Sequence, residues 1–287
     1  MSKYQEETQW SEVISPSTSL LDLKLQDVWR YRDLLGLFVK RDFVATYKQT
    51  ILGPLWHFIQ PIFTTVIFIF LFNSVAKIPT DGVPAPLFYI IGISIWNYFS
   101  VCFTSTSNTF VSNAGIFGKV YFPRLVLPLS VVISNLIKFG IQLSLIVVTM
   151  AYFIIFKGYK PQTNLYLLTL PVIVALMAFL GLGLGIIISS LTTKYRDFTY
   201  LISFGVQLLM YLTPVAYPLS FVQDKSYAKF IQWNPISPLV EGFRYAITGS
   251  GTFNISMLVY SIISTIIILF LGIIMFNKVE KSFMDTV

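Results

Sequence analysis

Residues 165–191 read LYLLTLPVIVALMAFLGLGLGIIISSL and contain no charged side chain. A helix of about 20 apolar residues crosses the roughly 30 Å hydrocarbon core of a bilayer, so this run predicts a transmembrane helix. The sequence contains five further apolar runs that predict the same, near residues 55–75, 86–106, 125–156, 199–215 and 255–276. We therefore predict an all-α integral membrane protein with six transmembrane helices per protomer. The run at 199–215 is the shortest.

The composition agrees with lipid as the main solvent of the chain. Apolar residues make up 55% of it and charged residues 11%, whereas a soluble domain carries roughly a quarter charged residues. The lone Cys102 and the lone His57 exclude a disulfide framework and zinc sites built from cysteine and histidine. The net charge of +7 would suit nucleic acid, but the basic residues cluster beside the apolar runs. We expect no catalytic residue, no metal site and no nucleic-acid partner.

Lysine and arginine set the predicted orientation in the membrane. If the N-terminus is inside, most of them fall in segments on that same side, including the segments before the first span and after the second and fourth. Cytosolic loops carry such an excess of positive charge. The sequence thus places both termini in the cytosol, with residues 54–287 forming the six-span domain. Residues 1–24 are a polar N-terminal tail for which the sequence indicates no role.

Residues 25–53 predict an amphipathic helix before the first span. At 100° per residue, Val28 and Phe38 fall on one side, and Arg30 and Lys40 lie roughly opposite. A helix of this kind lies in the plane of the membrane interface and does not cross it. The glycine-proline pair at 53–54 permits the turn into the first span.

Two further segments do not span. The inside loop 107–124 is polar at its start and basic at its end, and Pro123 terminates any helix before it. The outside stretch 216–254 is longer than structureless loops usually run. Within it, Ser237–Thr248 predicts a helix that rises only ~18 Å and is too short to span. We predict short re-entrant helices here, before the last span.

Lys138 lies about a dozen residues into the third predicted span, near the bilayer midplane. Charges at this depth are costly and are often functional. Lys138 either faces a translocation path, where it would meet an anionic group of a substrate, or is a structural lysine satisfied by Asn135 or Gln142. The sequence leaves both alternatives open.

Two glycine-containing motifs are candidates, one for a nucleotide site and one for a helix-packing site. Residues 115–120 (GIFGKV) resemble a phosphate-binding loop only superficially, because the glycine five residues before Gly118 is missing and Val120 stands where a Mg²⁺-binding Ser or Thr is required. No nucleotide site is expected in this chain. Gly181 and Gly185 have the spacing that lets two helices pack closely, and we predict a packing role for them.

Several short motifs follow one another along the chain: RD at 41–42, YKQT at 47–50, LGPLW at 52–56, YFPR at 121–124, YRD at 195–197 and WNP at 233–235. Pro61 lies in the first span, and Pro238, Glu241 and Arg244 follow the last motif. With the amphipathic helix before the first span, this layout resembles the polysaccharide-export ABC transporter permeases. That type-2 exporter class serves O-antigen, teichoic acid and capsule. The resemblance covers nearly the whole chain, from about residue 25 to residue 281.

The resemblance implies a half-transporter in the bacterial cytoplasmic (inner) membrane. Two copies would form a homodimer around a channel, and two nucleotide-binding ABC ATPase subunits would bind ATP and Mg²⁺ on the cytosolic face. The cargo would be an undecaprenyl-pyrophosphate-linked glycan, O-antigen-like. This chain would hold no cofactor and perform no catalysis of its own.

The same resemblance implies three groups of functional residues. The cytosolic entrance, near the pyrophosphate of the lipid, would be formed by Arg41, Asp42, Tyr47, Lys48, Leu52 and Gly53. Within loop 107–124, the residues that couple to the ATPase would be Lys119, Tyr121, Phe122, Pro123 and Arg124. The outer gate would consist of Trp233, Asn234, Pro235, Pro238, Glu241 and Arg244.

Three other functions stay open at this point. A type-2 exporter of a drug, lipid or other small molecule shares the architecture, although the LGPLW block and the lack of a large outside domain favour a glycan. An ion-coupled secondary carrier would require acidic residues near mid-membrane, and the predicted spans contain essentially none. A membrane-embedded enzyme would require paired carboxylates or a histidine near the headgroups, which Asp42 alone does not provide.

Overall fold

The computed structural model describes residues 25–48, 50–117, 122–162, 164–192 and 197–282. The helices, in chain order, are α1 (Leu25–Arg30), α2 (Arg32–Tyr47), α3 (Trp56–Phe68), α4 (Ala85–Ser107), α5 (Thr109–Ser112), α6 (Ala114–Phe117), α7 (Val126–Lys157), α8 (Leu170–Thr192), α9 (Phe198–Tyr211), α10 (Leu219–Val222), α11 (Ala228–Trp233), α12 (Ser237–Thr248) and α13 (Ile255–Ser282). Short 3₁₀ helices at Gly53–Leu55 and Leu165–Thr169 lead into α3 and α8, and a π-helix at Ile69–Val75 continues α3. No β-strand occurs in these ranges, so the predicted all-α fold is confirmed for them.

Within the described residues, five helical stretches are long and apolar enough to cross a membrane. They are Gly53–Val75, Ala85–Ser107, Val126–Lys157, Leu165–Thr192 and Ile255–Asn277, and they coincide with five of the six predicted runs. The remaining run corresponds to the shorter apolar helix α9, whose 14 residues rise about 21 Å. Because that rise is less than the thickness of the hydrocarbon core, the sixth crossing stays a prediction.

Helices α4 and α8 form the centre of the protein, and α7, α12 and α13 pack around them. Glycines on α8 permit the close approach of the two central helices. A Cβ on Gly181 would lie 2.8 Å from Cβ of Cys102 in α4, and a Cβ on Gly185 would lie 2.5 Å from Cβ of Thr106. Gly183 lies on the opposite side of α8, against α13. The predicted packing role of the glycine pair is confirmed.

The segment before the first span consists of α1 and α2, and its predicted apolar face packs against protein. Val28 and Phe38 form a buried cluster with Phe122, Val126 and Leu127 at the start of α7. The rings of Phe38 and Phe122 lie 5.7 Å apart, centroid to centroid. The amphipathic pattern therefore positions α2 against the end of the inside loop. Its location at the membrane interface stays a prediction.

The outside stretch contains α10, α11 and α12. Helix α12 has the bounds predicted from the sequence and is buried along almost its whole length. Pro238 lies in its first turn, where the missing N–H is harmless. Gly249 ends it in the left-handed conformation, with φ +72°, and a Cβ there would lie 2.2 Å from the carbonyl oxygen of Gln162. The helix is confirmed, while its re-entry into the membrane stays a prediction.

Gly185→Ala should destabilise the protein, because the added methyl group would lie 2.5 Å from Cβ of Thr106 and would force α4 and α8 apart. Overpacking of this kind costs about 1–3 kcal/mol. We expect the melting temperature of the purified protein in detergent to fall by several degrees. Gly140→Ala is the matched control, since nothing lies within 4 Å of a Cβ at Gly140 in α7. Equal melting temperatures for the two variants would contradict the close packing.

Candidate functional site

A polar cavity of about 530 Å³ lies between α2, the end of α4, α5 and the first half of α7. Arg41 and Asp42 of α2 line it together with Lys138 of α7, and only Ala45 and Val131 among its lining residues are apolar. The other lining residues are Thr46, Thr104, Ser105, Asn108, Thr109, Ser112, Asn113, Ser134 and Asn135. We call it the large cavity. It brings together two of the predicted entrance residues and the predicted path residue.

A second cavity of about 250 Å³ adjoins it between α3, α4 and α7. Asn135 and Lys138 line both cavities. The other lining residues are His57, Gln60, Asn97, Tyr98, Ser100, Val101, Phe139 and Gln142. We call it the small cavity. Because Lys138 lies about 18 Å along α7 from its first residue, the polar lining extends toward the middle of that span.

Lys138 is half-buried at the junction of the two cavities. No hydrogen bond or salt bridge of its ammonium group occurs within the described ranges. Asn135 and Gln142, the partners that a structural lysine would use, line the same walls without bonding to it. Lys138 does interact electrostatically with Asp42, which lines the same cavity. A charge in a membrane span is costly and usually faces water or a ligand. The place of Lys138 in a translocation path stays a prediction.

Arg41 contacts three residues on the wall of the large cavity, namely Asp42, Asn113 and Phe38. Its Nη2 donates to Asp42 Oδ1 at 2.8 Å and to Asn113 Oδ1 at 3.4 Å, and its guanidinium carbon lies 4.8 Å from the centre of the Phe38 ring. The ion pair is partly exposed, and such pairs contribute only about 0–1 kcal/mol. Since Asp42 neutralises Arg41 locally, Lys138 gives the large cavity its net positive charge.

The other predicted entrance residues lie outside both cavities. The ring of Tyr47 packs edge-on against His57, with centroids 5.6 Å apart, and burial raises the pKa of the Tyr47 hydroxyl. Lys48 and Leu52 are exposed, and Gly53 turns the chain with φ +50°. The predicted entrance group thus divides between the wall of the large cavity and the turn that leads into the first span.

The predicted coupling loop is described in part. Its residues outside the described ranges are Lys119 and Tyr121. Phe122 is buried against Phe38, and Arg124 is half-buried. The carbonyl of Pro123 accepts a hydrogen bond from the backbone N–H of Val126 at 3.0 Å, in the first turn of α7. The end of the loop is therefore packed on α2, the helix that carries Arg41.

The predicted outer-gate residues fall into two groups, of which the first forms the turn between α11 and α12. Asn234 Nδ2 donates to Thr213 Oγ1 at 2.9 Å, and the carbonyl of Pro235 accepts a hydrogen bond from a serine hydroxyl of α13 at 2.8 Å. Trp233 is exposed and, with Pro238, lines a cavity of about 320 Å³. These contacts link the turn to α13 and to the segment after α9.

Glu241 and Arg244 form the second group and are fully buried. Arg244 Nη1 donates to Glu241 Oε2 and Nη2 donates to the carbonyl of Pro214, both at 2.8 Å, while the guanidinium carbon lies 3.8 Å from the centre of the Phe88 ring. The N–H of Thr252 donates to Glu241 Oε1 at 3.2 Å. Burial raises the pKa of the Glu241 carboxyl, and the Arg244 guanidinium opposes that rise. The pair ties α12 to α4 and lines none of the three cavities.

Two features of the site are not predicted from the sequence. The first is the group of carboxamides around the small cavity, Gln60, Asn97 and Gln142. The only signal for it is that each residue interrupts an apolar run. The second is the contact of Asp81 with Ser220, whose hydroxyl donates to Oδ2 at 2.8 Å. Nothing in the sequence relates these two positions.

Comparison with known proteins supplies a second line of evidence. The family described as ABC-2 type transporter matches residues 33–248. The O-antigen export system permease protein RfbA of Klebsiella pneumoniae is 28% identical over 253 residues, covering 88% of this chain and 94% of that protein. RfbA of Myxococcus xanthus is 31% identical over 223 residues, covering 77% and 82%. The polysialic acid transport protein KpsM of Escherichia coli is 22% identical over 247 residues, covering 86% and 93%.

Long apolar helices that enclose polar cavities, together with this similarity to export permeases, define an integral membrane transporter subunit. More specifically, the chain belongs to the ABC-2 type transporter family. The resemblance to polysaccharide-export permeases, drawn from short motifs, is thereby confirmed.

Arg244→Met should destabilise the protein strongly, because it leaves the buried Glu241 carboxylate without its partner. Breaking a buried ion pair in this way costs about 3–5 kcal/mol. We expect a large drop in melting temperature and little protein in the membrane fraction. The double variant Glu241→Met with Arg244→Met removes both charges and should be more stable than Arg244→Met alone. Lys229→Met, at an exposed position of α11, is the control. A double variant less stable than the single variant would contradict the pairing.

Proposed function

We propose that this chain is the membrane subunit of an ATP-driven exporter that moves a lipid-linked, O-antigen-like polysaccharide across the bacterial cytoplasmic membrane. The structural observation that carries the proposal is the pair of polar cavities that meet at Lys138. The choice of cargo is supported by the relatives, which are named for O-antigen export and polysialic acid transport.

The large cavity suits the headgroup of a polyprenyl pyrophosphate. Lys138 supplies net positive charge, and the hydroxyl and carboxamide side chains around it supply hydrogen-bond donors. Phosphate oxygens are bound by this combination. The hydrocarbon tail would remain in lipid beside the exposed apolar face of α3, which includes Phe63 and Ile67. An undecaprenyl-pyrophosphate-linked glycan combines these two parts.

A long glycan needs a continuous path, and two copies of the chain supply more room for one than a single bundle does. Large apolar side chains are exposed on the π-helix that continues α3 and on α9, including Phe70, Phe204 and Leu208. Such faces require lipid or another protein surface as a partner. We place the second copy of a homodimer against part of this surface, with the path between the two copies.

ATP hydrolysis takes place in a separate subunit in this proposal. ABC-2 permeases of exporter systems partner with an ATPase subunit. Two such subunits, with ATP and Mg²⁺, would dock on the inside loop 107–124. The contact between Phe122 and Phe38 supports this assignment, since it connects the end of the loop to α2 and thus to the wall of the large cavity.

The proposed topology has six crossings, with α9 as the fifth, and both termini in the cytosol. The turn with Trp233, Asn234 and Pro235, followed by α12, would form the gate on the outer side. The buried pair Glu241–Arg244 would then hold the gate to α4 and would not contact the cargo itself.

Lys138→Met should reduce export, because it removes the charge that would meet the pyrophosphate and keeps an unbranched side chain of similar length. In cells that contain the complete exporter, we expect surface glycan to fall about tenfold or more. Undecaprenyl-linked glycan should accumulate on the cytosolic side, and the amount of permease in the membrane should not change. Quantified surface glycan and extracted lipid-linked glycan provide the measurement.

The control for this experiment is Lys157→Met, since Lys157 ends the same helix and lines neither cavity. Normal export in Lys138→Met would remove this residue from the path. A deletion of the whole chain that causes no accumulation of lipid-linked glycan would overturn the proposed function.

Phe122→Ala should uncouple ATP hydrolysis from export, because it removes the ring that packs the inside loop on α2. In proteoliposomes containing the complete exporter, we expect hydrolysis to continue while the amount of glycan moved per ATP falls. Phe38→Ala should have the same effect, and the double variant should be no worse than either single variant. Val147→Ala, an exposed position of α7 outside the inside loop, is the control. An unchanged ratio of glycan to ATP in Phe122→Ala would rule out this coupling route.

A further inference from the structure

The small cavity has a chemistry different from that of the large one. Lys138 at the junction is the only lysine or arginine in its lining, and none of its lining residues is a carboxylate. Four carboxamides line it, from Gln60 on α3, Asn97 on α4, and Asn135 and Gln142 on α7. A carboxamide offers two N–H donors and a carbonyl acceptor. The cavity wall therefore presents donors and acceptors together.

This hydrogen-bonding capacity is not used within the protein. Within the described ranges, no hydrogen bond joins the side chains of Asn97, Asn135 and Gln142 to another residue. Their polar atoms are not among the fully enclosed ones, so they are accessible from the cavity that they line. Asn135 and Gln142 are nevertheless buried, with 5% and 9% of their surface exposed. Nε2 of His57, on the same wall, is buried without a hydrogen-bond partner in those ranges. Burying polar groups in this state is unfavourable unless water or a ligand bonds to them.

The arrangement favours a neutral polyhydroxyl ligand. Sugar hydroxyl groups donate and accept hydrogen bonds at once, and carboxamides match them in both respects. A second anion would need more positive charge than one lysine gives, and a cation would need carboxylates. Tyr98 and Phe139, stacked with centroids 4.9 Å apart, add an apolar wall that suits the C–H face of a sugar ring.

The size and position of the small cavity indicate which position in the glycan its sugar would occupy. A volume of about 250 Å³ lies just below the range of pockets that hold drug-sized ligands, and it suits a single sugar ring. Lys138 lies between this cavity and the large one, so a pyrophosphate at Lys138 would present its first attached sugar to the carboxamides.

We propose that the small cavity is a recognition subsite for the sugar attached directly to the pyrophosphate of the lipid carrier. The inference rests on the proposed function, since it takes the lipid-linked glycan as cargo. In addition, Asn97, Asn135 and Gln142 would bind the first sugar and discriminate between different sugars. The permease would thereby select among lipid-linked glycans. Gln60 and His57 complete the wall on the side of α3.

The test is a binding measurement on the purified full-length chain in lipid nanodiscs. The probes are undecaprenyl pyrophosphate without sugar and its derivatives that carry one N-acetylglucosamine, N-acetylgalactosamine, glucose or galactose. We expect at least one sugar-bearing probe to bind about tenfold or more tightly than the bare pyrophosphate, as expected for two or more additional hydrogen bonds. Asn97→Leu and Gln142→Met should each remove this advantage and leave the affinity for the bare probe unchanged.

Two further variants separate recognition of the sugar from other effects. Lys138→Met should weaken all probes in the same proportion, because it acts on the pyrophosphate. Gln223→Met, at an exposed position outside the predicted spans, is the matched control for loss of a carboxamide and should change nothing. The melting temperature of each variant is measured, and since Asn97 and Gln142 lie on different helices, failure of one variant to fold leaves the other informative.

The outcomes distinguish the inference from the function on which it rests. If every sugar-bearing probe binds the native chain with the same affinity as bare undecaprenyl pyrophosphate, the sugar subsite is refuted. The lipid carrier itself would still be a ligand of the chain. The same holds if Gln142→Met and Asn97→Leu weaken the bare and sugar-bearing probes equally, since that would indicate a structural role. If no probe binds, including the bare pyrophosphate, the proposed function itself fails.

Discussion

The approach of α8 to α4 at Gly181 and Gly185 determines where the other elements lie. Apolar side chains gain little from leaving lipid for a protein interior, so association of membrane helices depends on close van der Waals packing and on polar contacts. The glycines provide that packing on the α4 side, and Gly183 provides it on the α13 side. The two halves of α4, held in this position, border different features. The polar cavities surround its C-terminal half, and the buried ion pair contacts Phe88 and Gly92 in its N-terminal half.

Buried polar side chains of this protein fall into two groups. One group bonds to other protein groups, and the other lines the cavities. Glu241 and Arg244 use each other, backbone groups and an aromatic ring, and a Cβ on Gly92 would lie 2.9 Å from Nη2 of Arg244. These contacts offset much of the hydration that the buried ion pair loses, although Nε of Arg244 has no hydrogen-bond partner among the described residues. By contrast, the ammonium group of Lys138 and the carboxamides of the small cavity make no hydrogen bond to the described residues, although Lys138 interacts electrostatically with Asp42. A polar side chain that makes no hydrogen bond to protein at this depth in the membrane is expected to bind water or a ligand.

The sequence predicted five spans and α12 that the structure contains, but it did not predict the contacts between them. Spans follow from hydropathy, and α12 follows from its Pro and Gly boundaries, because both are local properties of the chain. The motifs at 41–42 and 233–235 indicated functional segments, but Glu241 and Arg244 in the same motif group belong to a buried network that only the packing of α4 against α12 reveals. The small cavity is missed for the same reason. Gln60, Asn97 and Gln142 are isolated polar residues in three different spans, and their convergence depends on the packing of α3, α4 and α7.

The walls of the large cavity differ in how firmly they are held, and this difference is relevant to transport. Helices α4 and α7 belong to the packed body of the protein. Helix α2 is held by a small cluster around Phe38 and by the partly exposed contacts of Arg41. A wall with few buried contacts opens at lower cost than one in the core. Because the cluster that holds α2 includes Phe122, the end of the inside loop contacts this wall of the large cavity. The contact between Phe122 and Phe38 thus joins the inside loop to α2, while α4 borders the small cavity and contacts the buried ion pair.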